Sequence, residues 1–125
     1  MKSIEENNAP YISIMHQRCP LRVYLSTILY AETFKNAVYI HTDVGVFKTY
    51  ITFEKFCESL CDLRFIGCYK GCVVNMDRVS KIHGDDFIMD NGERVQIRKR
   101  GGTKVKKSYL QYVLLKQVYL ENKIS

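Results

Sequence analysis

The chain has no tryptophan, two prolines among its 125 residues, and no apolar run of membrane-spanning length. A spanning helix needs about 18 or more apolar residues, so none is expected. The opening residues, M-K-S-I-E-E-N-N, lack the apolar core of a secretory signal, and the expected setting is cytoplasmic. Motifs that carry enzymatic chemistry are missing as well. There is no phosphate-binding P-loop, no Gly-x-Ser-x-Gly elbow and no His-Glu-x-x-His pair. His16, His41 and His83 lie far apart, and Asp85, Asp86 and Asp90 lack calcium-loop spacing. Cys68 lies near Lys70, but the sequence places no base beside it. These absences point away from an enzyme and leave no cofactor or metal expected.

Cysteine is present, but in an odd number, five, with nothing marking export, so reduced thiols are expected. The tight Cys-x-x-Cys zinc knuckle is absent. Cys57 and Cys61, four apart on an expected helix, are read as small hydrophobes sharing its buried face.

What is present suits one packed domain. Hydrophobic residues make up 46% and aromatics 12%, with nine tyrosines, which is too apolar for a disordered chain. The net charge of +6 is unevenly spread. From Arg94 to Ser125 there are nine Lys or Arg and one acid, Glu121, a net of +8; the other 93 residues carry ten bases and twelve acids. Positive charge gathered at one end suits a polyanionic partner, because Lys and Arg release phosphate counterions on binding.

Periodicity predicts a mostly β chain with two helices. Residues 1–10 read as a flexible lead-in, and 11–121 as the domain. Tyr11 to Met15 alternates as a strand, followed by a turn at Arg18-Cys19-Pro20. Val23 to Glu32 is extended. Val38 to Thr42 and Val46 to Ile51 form a hairpin about Asp43-Val44-Gly45. Thr52 is a suitable N-cap for a helix whose apolar face is Phe53, Phe56, Cys57, Leu60, Cys61 and Leu63. Strands resume at Gly71 to Val74, Val79 to His83, Asp85 to Asp90 and Arg94 to Arg98. Asn91-Gly92 between the last two is a strong hairpin signal, since both residues tolerate positive φ. A second helix is expected from about Thr103 to Glu121, with Val105, Tyr109, Tyr112, Val113, Val118 and Tyr119 roughly on one stripe.

The chemistry concentrates in cations. Arg98, Lys99 and Arg100 precede two glycines and a Lys-rich helix. Arginine's planar fork suits guanine or phosphate, glycine permits close backbone approach, and a helix start offers free N–H groups to a phosphate. Lys70 and Arg64 lie earlier, and Lys35-Asn36 occupy a loop between strands.

Five segments occur in an order that resembles the LytTR DNA-binding domain, the output module of LytR/AgrA-type bacterial response regulators. They are T-I-L-Y-A-E (27–32), I-T-F-E-K-F-C-E-S-L (51–60), F-I-G-C-Y-K-G-C-V-V-N (65–75), D-R-V-S-K-I (77–82) and D-N-G-E-R-V-Q-I-R-K-R (90–100). A basic C-terminal helix completes the pattern, which runs from about Tyr11 to Leu115. The resemblance implies a mainly β fold, an elongated arrangement of small antiparallel sheets with one internal short helix and a C-terminal helix. It also implies double-stranded DNA as partner, read by loops in successive major grooves at sites paired as direct repeats, with weak self-association on DNA. By position, Lys35, Asn36, Lys70 and Arg98 would face base edges. Arg64, Tyr69, Lys99, Arg100 and Lys104 would hold phosphates. The pattern F-x-R-x-H-x-S-x-x-V-N is broken at Gly67, Tyr69 and Gly71, which removes a cation and a hydroxyl from the expected DNA face.

Two other readings compete with a sequence-specific regulator. One is a non-enzymatic interaction module using the basic face on a protein or another polyanion. The other is single-stranded nucleic-acid binding by tyrosine stacking. A receiver domain would need roughly another 100 residues, so the expectation is a stand-alone regulator or the output half of a longer chain.

Overall fold

Short alternating runs separated by brief breaks give each strand its chain neighbour as the nearest partner, and antiparallel hairpins follow. The computed structural model describes residues 9–124, with side chains through 120. The expected lead-in over 1–10 therefore lies mostly outside the described residues; at its end, the Pro10 carbonyl accepts the Leu25 N–H at 3.0 Å. The chain divides between Asp62 and Leu63 into two compact units.

The first unit begins with the hairpin β1 (Tyr11–His16) and β2 (Cys19–Tyr24), followed by the antiparallel meander β3 (Ile28–Phe34), β4 (Ala37–Thr42) and β5 (Gly45–Thr49). Helix α1 (Phe53–Leu60) packs on β1 and β4. Two hairpins close through two-residue turns with positive φ at both positions, Gln17-Arg18 (50° and 65°) and Lys35-Asn36 (46° and 63°). Such turns match the right-handed twist of the strands they join. The chain thus reverses one residue before the expected Arg18-Cys19-Pro20 turn, and Pro20 enters β2 opposite Met15. The extended stretch from Val23 to Glu32 is likewise broken. A 3-10 turn at Leu25–Thr27 interrupts it, with Thr27 Oγ1 donating to the Tyr24 carbonyl at 2.7 Å.

Thr52 caps α1 as expected, its Oγ1 accepting the Lys55 N–H at 3.2 Å. The apolar face is narrower than predicted: Phe56 and Leu60 are buried, Cys57 is half-buried, and Cys61 and Leu63 are exposed. The helix ends at Leu60, and Cys61 turns left-handed (φ 35°) to form the C-cap, so the four-residue spacing from Cys57 no longer points inward. Burial pushes the Cys57 thiol above its ordinary pKa.

The second unit holds the hairpin β6 (Phe65–Tyr69) and β7 (Cys72–Asn75), then the three-stranded sheet of β8 (Val79–His83), β9 (Asp86–Met89) and β10 (Arg94–Gln96), with β9 central. Asn75 is fully buried; its Oδ1 accepts the Asp77 N–H at 2.9 Å and starts the 3-10 turn Met76–Arg78. That capping role accounts for the polar end of the Val73-Val74-Asn75 run. At Asn91-Gly92 the predicted hairpin forms, but only Gly92 has positive φ (92°). Asn91 Oδ1 instead accepts the Glu93 N–H at 3.0 Å, and Met89 N–H reaches the Glu93 carbonyl at 2.8 Å. The loop is longer than two residues because the asparagine side chain takes over part of the turn.

Helix α2 (Gly102–Ile124) packs against β6 and the Met76–Arg78 turn. The predicted stripe splits. Val105 and Tyr109 are buried, with Tyr109 edge-on to Phe87 at 5.4 Å, whereas Val113, Val118 and Tyr119 are exposed. Past Tyr109 the helix meets the Met76–Arg78 turn through polar groups, Tyr112 and Lys116 on Asp77, so the periodicity there is not matched by apolar burial. Among the described residues, no helix is long and apolar enough to cross a membrane.

Candidate nucleic-acid interface

Strand ends and tight turns push a few polar side chains out of each unit. In the first unit Lys35 and Asn36 form the exposed tip of the β3–β4 hairpin. Lys35 Nζ lies 5.4 Å from the Phe34 ring, and Thr33 Oγ1 ties the base of the turn to the Ala37 carbonyl at 3.2 Å. A cleft of about 620 Å³ in the same unit is lined by Met15, His16, Gln17, Arg18, Lys48, Thr49 and Tyr50, with no acid among them. Lys48 Nζ sits 4.7 Å from the Tyr50 ring, and its pKa is raised, first by a hydrogen bond with Tyr50. His16 Nδ1 meets the Lys48 backbone at 3.2 Å.

In the second unit, Lys70 and Gly71 form the turn between β6 and β7, with Lys70 exposed and Gly71 at φ 75°. A residue with a Cβ would be strained there, so the glycine in place of the expected serine follows from the turn. Beside it, Arg98 is anchored twice: its N–H donates to the Cys68 carbonyl at 2.7 Å, and its Nη2 donates to the Gly67 carbonyl at 3.2 Å. A Cβ on Gly67 would lie 3.7 Å from Arg98 Nη2, so the guanidinium lies over the position where the family pattern carries arginine. Arg98 has left β10, which ends at Gln96 rather than continuing as predicted.

Arg98 and Lys104 line one open cleft of about 330 Å³ with Ile66, Gly67, Gly101, Val105 and Ser108. Gly101, at φ 83°, turns the chain into α2, and its carbonyl accepts the Lys104 N–H at 3.2 Å. Lys99 and Arg100 are exposed at the same turn. The arrangement concentrates cations at the positive end of a helix dipole, which favours anionic oxygens.

Salt bridges sort the basic residues of this region. Arg94 pairs with Asp86 at 3.4 Å, Lys106 with Asp85 at 3.0 Å, and Lys116 with Asp77. Arg78 and Asp90 form a two-point pair at 2.6 and 3.0 Å. Asp85, Asp86 and Asp90 are thus ion-paired, because the basic helix and strands lie within reach. Among the described residues, no acidic side chain pairs with Arg98, Lys99, Arg100, Lys104 or Lys107. Lys107, which the sequence reading leaves out of the phosphate contacts, is exposed three residues after Lys104.

Two expected phosphate contacts are partly committed elsewhere. Arg64 is half-buried, its carbonyl accepts the Met76 N–H at 2.6 Å, and its charge acts on Asp77. Tyr69 is half-buried at the end of β6. Asp77 accepts Tyr112 Oη at 2.7 Å and also Lys116 Nζ. Burial pushes its carboxyl up, but these hydrogen bonds and the charges of Lys116 and Arg64 outweigh that and hold it below the ordinary value. Cys68 and Cys72 are buried, the Cys68 thiol donating to the Cys72 carbonyl at 3.6 Å, which makes them packing residues. Among the described residues no three His, Cys, Asp or Glu side chains gather as metal ligands.

Residues 20–111 match the family model described as the LytTr DNA-binding domain. Among solved structures, the chain is similar to the LytTr DNA-binding domain of a protein described as a methyl-accepting/DNA response regulator from Bacillus cereus. The TM-score is 0.69 at 21% identity, covering 78% of this chain and 94% of that one. Comparison with curated proteins gave no match.

Proposed function

This chain belongs to the LytTR family of DNA-binding domains, whose role is DNA-binding transcription regulation, and we propose that it reads double-stranded DNA sequence-specifically through loops entering the major groove. The observation that carries this reading is the group Arg98, Lys99, Arg100, Lys104 and Lys107 at the start of α2, without an acidic partner among the described residues and beside salt-bridged neighbours. A polyanion neutralises such a group, and the flanking pairs set its edge.

Residue roles follow from anchoring. Arg98 is held by the Gly67 carbonyl in a fixed direction, which suits base-edge reading; it supplies the cation that Gly67 lacks. Lys70, Lys35 and Asn36 stand on tight turns and are the other base-edge candidates. Lys99, Arg100, Lys104 and Lys107 are phosphate contacts, with Tyr69 and Arg64 at the margin. The domain spans residues 11–121 and works in the bacterial cytoplasm, where it occupies paired direct-repeat sites. The family is a DNA-binding one rather than an enzymatic one. The interaction-module alternative rested on the losses at Gly67 and Gly71, and the Arg98 position and the Gly71 turn weaken it.

Selection of duplexes from a random pool, followed by competition binding across a salt series, tests the proposal. A selected duplex should bind far more tightly than random DNA. Equal affinity for both would overturn sequence-specific reading, and absence of any salt-dependent binding would overturn the DNA interface itself.

A further inference from the structure

The first unit carries a second basic feature, built from a different part of the chain. The end of β1 meets β5, and His16 Nδ1 lies 3.2 Å from both the N–H and the carbonyl of Lys48. The His16 ring is edge-on to Phe47, with 5.3 Å between centroids. These contacts tie the tip of the β1–β2 hairpin to the last residues of β5. The cleft of about 620 Å³ is lined by both segments. Small-molecule sites are typically preformed concavities of about 300–1,000 Å³, so its size suits one small ligand.

The lining is of two kinds. Arg18 and Lys48 are its cations. Arg18 holds the second positive-φ position of its turn, and Lys48 Nζ stands 4.7 Å from the Tyr50 ring and 5.7 Å from the Tyr39 ring. Met15 and Tyr50, 57% and 76% exposed, leave a thioether and an aromatic ring open to a ligand. No Asp or Glu occurs from Tyr11 to Ala31 or from Val44 to Phe53. Among the described residues, no acid pairs with Arg18 or Lys48 and none lines the cleft. Two cations thus share a concave surface with an open aromatic ring and no neutralising anion.

We propose that this cleft is a binding site for a small aromatic carboxylate. Arginine's planar fork donates two parallel hydrogen bonds to a carboxylate, and the Lys48 ammonium adds a further charged donor. The ligand's ring lies against Tyr50 and Met15, by offset stacking and sulfur contact. A ligand with both a charge and a ring uses the whole lining, which neither a simple anion nor a neutral hydrocarbon does. The cleft shares no residue with the cationic group at the start of α2, so the proposal stands or falls independently of the DNA interface.

Titration of the full chain with 2-naphthoate, followed by amide ¹H–¹⁵N spectra, tests the proposal. Acetate keeps only the charge and 2-naphthalenemethanol only the rings. Shifts should centre on Gln17, Arg18 and the segment from Lys48 to Tyr50, and saturate by about 1 mM. Either control should bind more weakly by about tenfold or more. Arg18→Gln and Lys48→Met keep much of each side chain and remove its charge, and each should weaken 2-naphthoate by about tenfold, with spectra elsewhere unchanged. No saturation by that concentration would overturn the proposal. So would equal affinity for the alcohol, full affinity in either folded variant, or shifts confined to other residues. Duplex DNA that displaces 2-naphthoate from these residues would assign the two cations to a phosphate backbone and overturn it equally.

Discussion

The two ends of α2 belong to one helix yet face different chemistry. Its start, from Gly102 to Tyr109, carries Lys104 and Lys107 to solvent and buries Val105 and Tyr109. Its later turns expose leucine, valine and tyrosine, and Lys116 among them is tied to Asp77. Helical propensity does not distinguish the two ends. Tertiary context does: β6 and Phe87 supply an apolar packing surface at the start, and the Met76–Arg78 turn meets Tyr112 and Lys116 through the Asp77 carboxylate further along. One element therefore carries exposed lysines at its positive pole and exposed apolar side chains further along.

The largest way to break this contrast is to remove the packed side. Phe87 is fully buried against Tyr109, and Phe87→Ala should cost about 3–5 kcal/mol. Urea unfolding would show it, whereas truncating Leu115 at the open end should leave the midpoint nearly unchanged. Next is the cationic pole. If Arg98 reads a base edge, Arg98→Ala should cost about 1–3 kcal/mol on the selected duplex and relax one position of the site. Competition binding with single-base variants measures both effects.

A smaller effect sharpens the boundary between paired and unpaired lysines. Lys104→Ala and Lys107→Ala should each flatten the logarithmic salt slope by about one unit, uniformly across sequences. Lys106→Ala, whose lysine is already paired with Asp85, should flatten it less. The smallest effect concerns pH. Asp77 is held below its ordinary value of 3.8, so its contribution to stability is fully present above that value and is lost as pH falls through the depressed one. Melting curves from about pH 5 downward should show this loss in the wild type. An Asp77→Asn variant should lack that share of the acid sensitivity.

The strands were largely legible because alternation reports burial on one face. Val38 to Thr42, Val79 to His83 and the helix capped by Thr52 all form as read. Turn positions were less legible. Gln17-Arg18 carries no turn signature, and its positive φ values come from the twist of the strands it joins. The same holds for Cys61, whose left-handed C-cap removed it from the face it was expected to share with Cys57. In the candidate site, composition identified the basic group from Arg98 to Lys104. It could not separate Lys106 from Lys107, since Lys106 meets Asp85 at the β8–β9 turn and, among the described residues, no acid pairs with Lys107.

By itself, the sequence determined a mainly β chain with two helices, the family, and the end of the chain that carries positive charge. These depend on local periodicity and composition, which neighbouring residues share along the chain. Among the described residues, tertiary structure alone decided which cations have an acidic partner, that Arg98 lies over Gly67, and that Val113 and Val118 stay exposed. Each of these depends on groups distant in sequence meeting or failing to meet. Arg98 and Gly67 are 31 residues apart, and Lys116 and Asp77 are 39 apart.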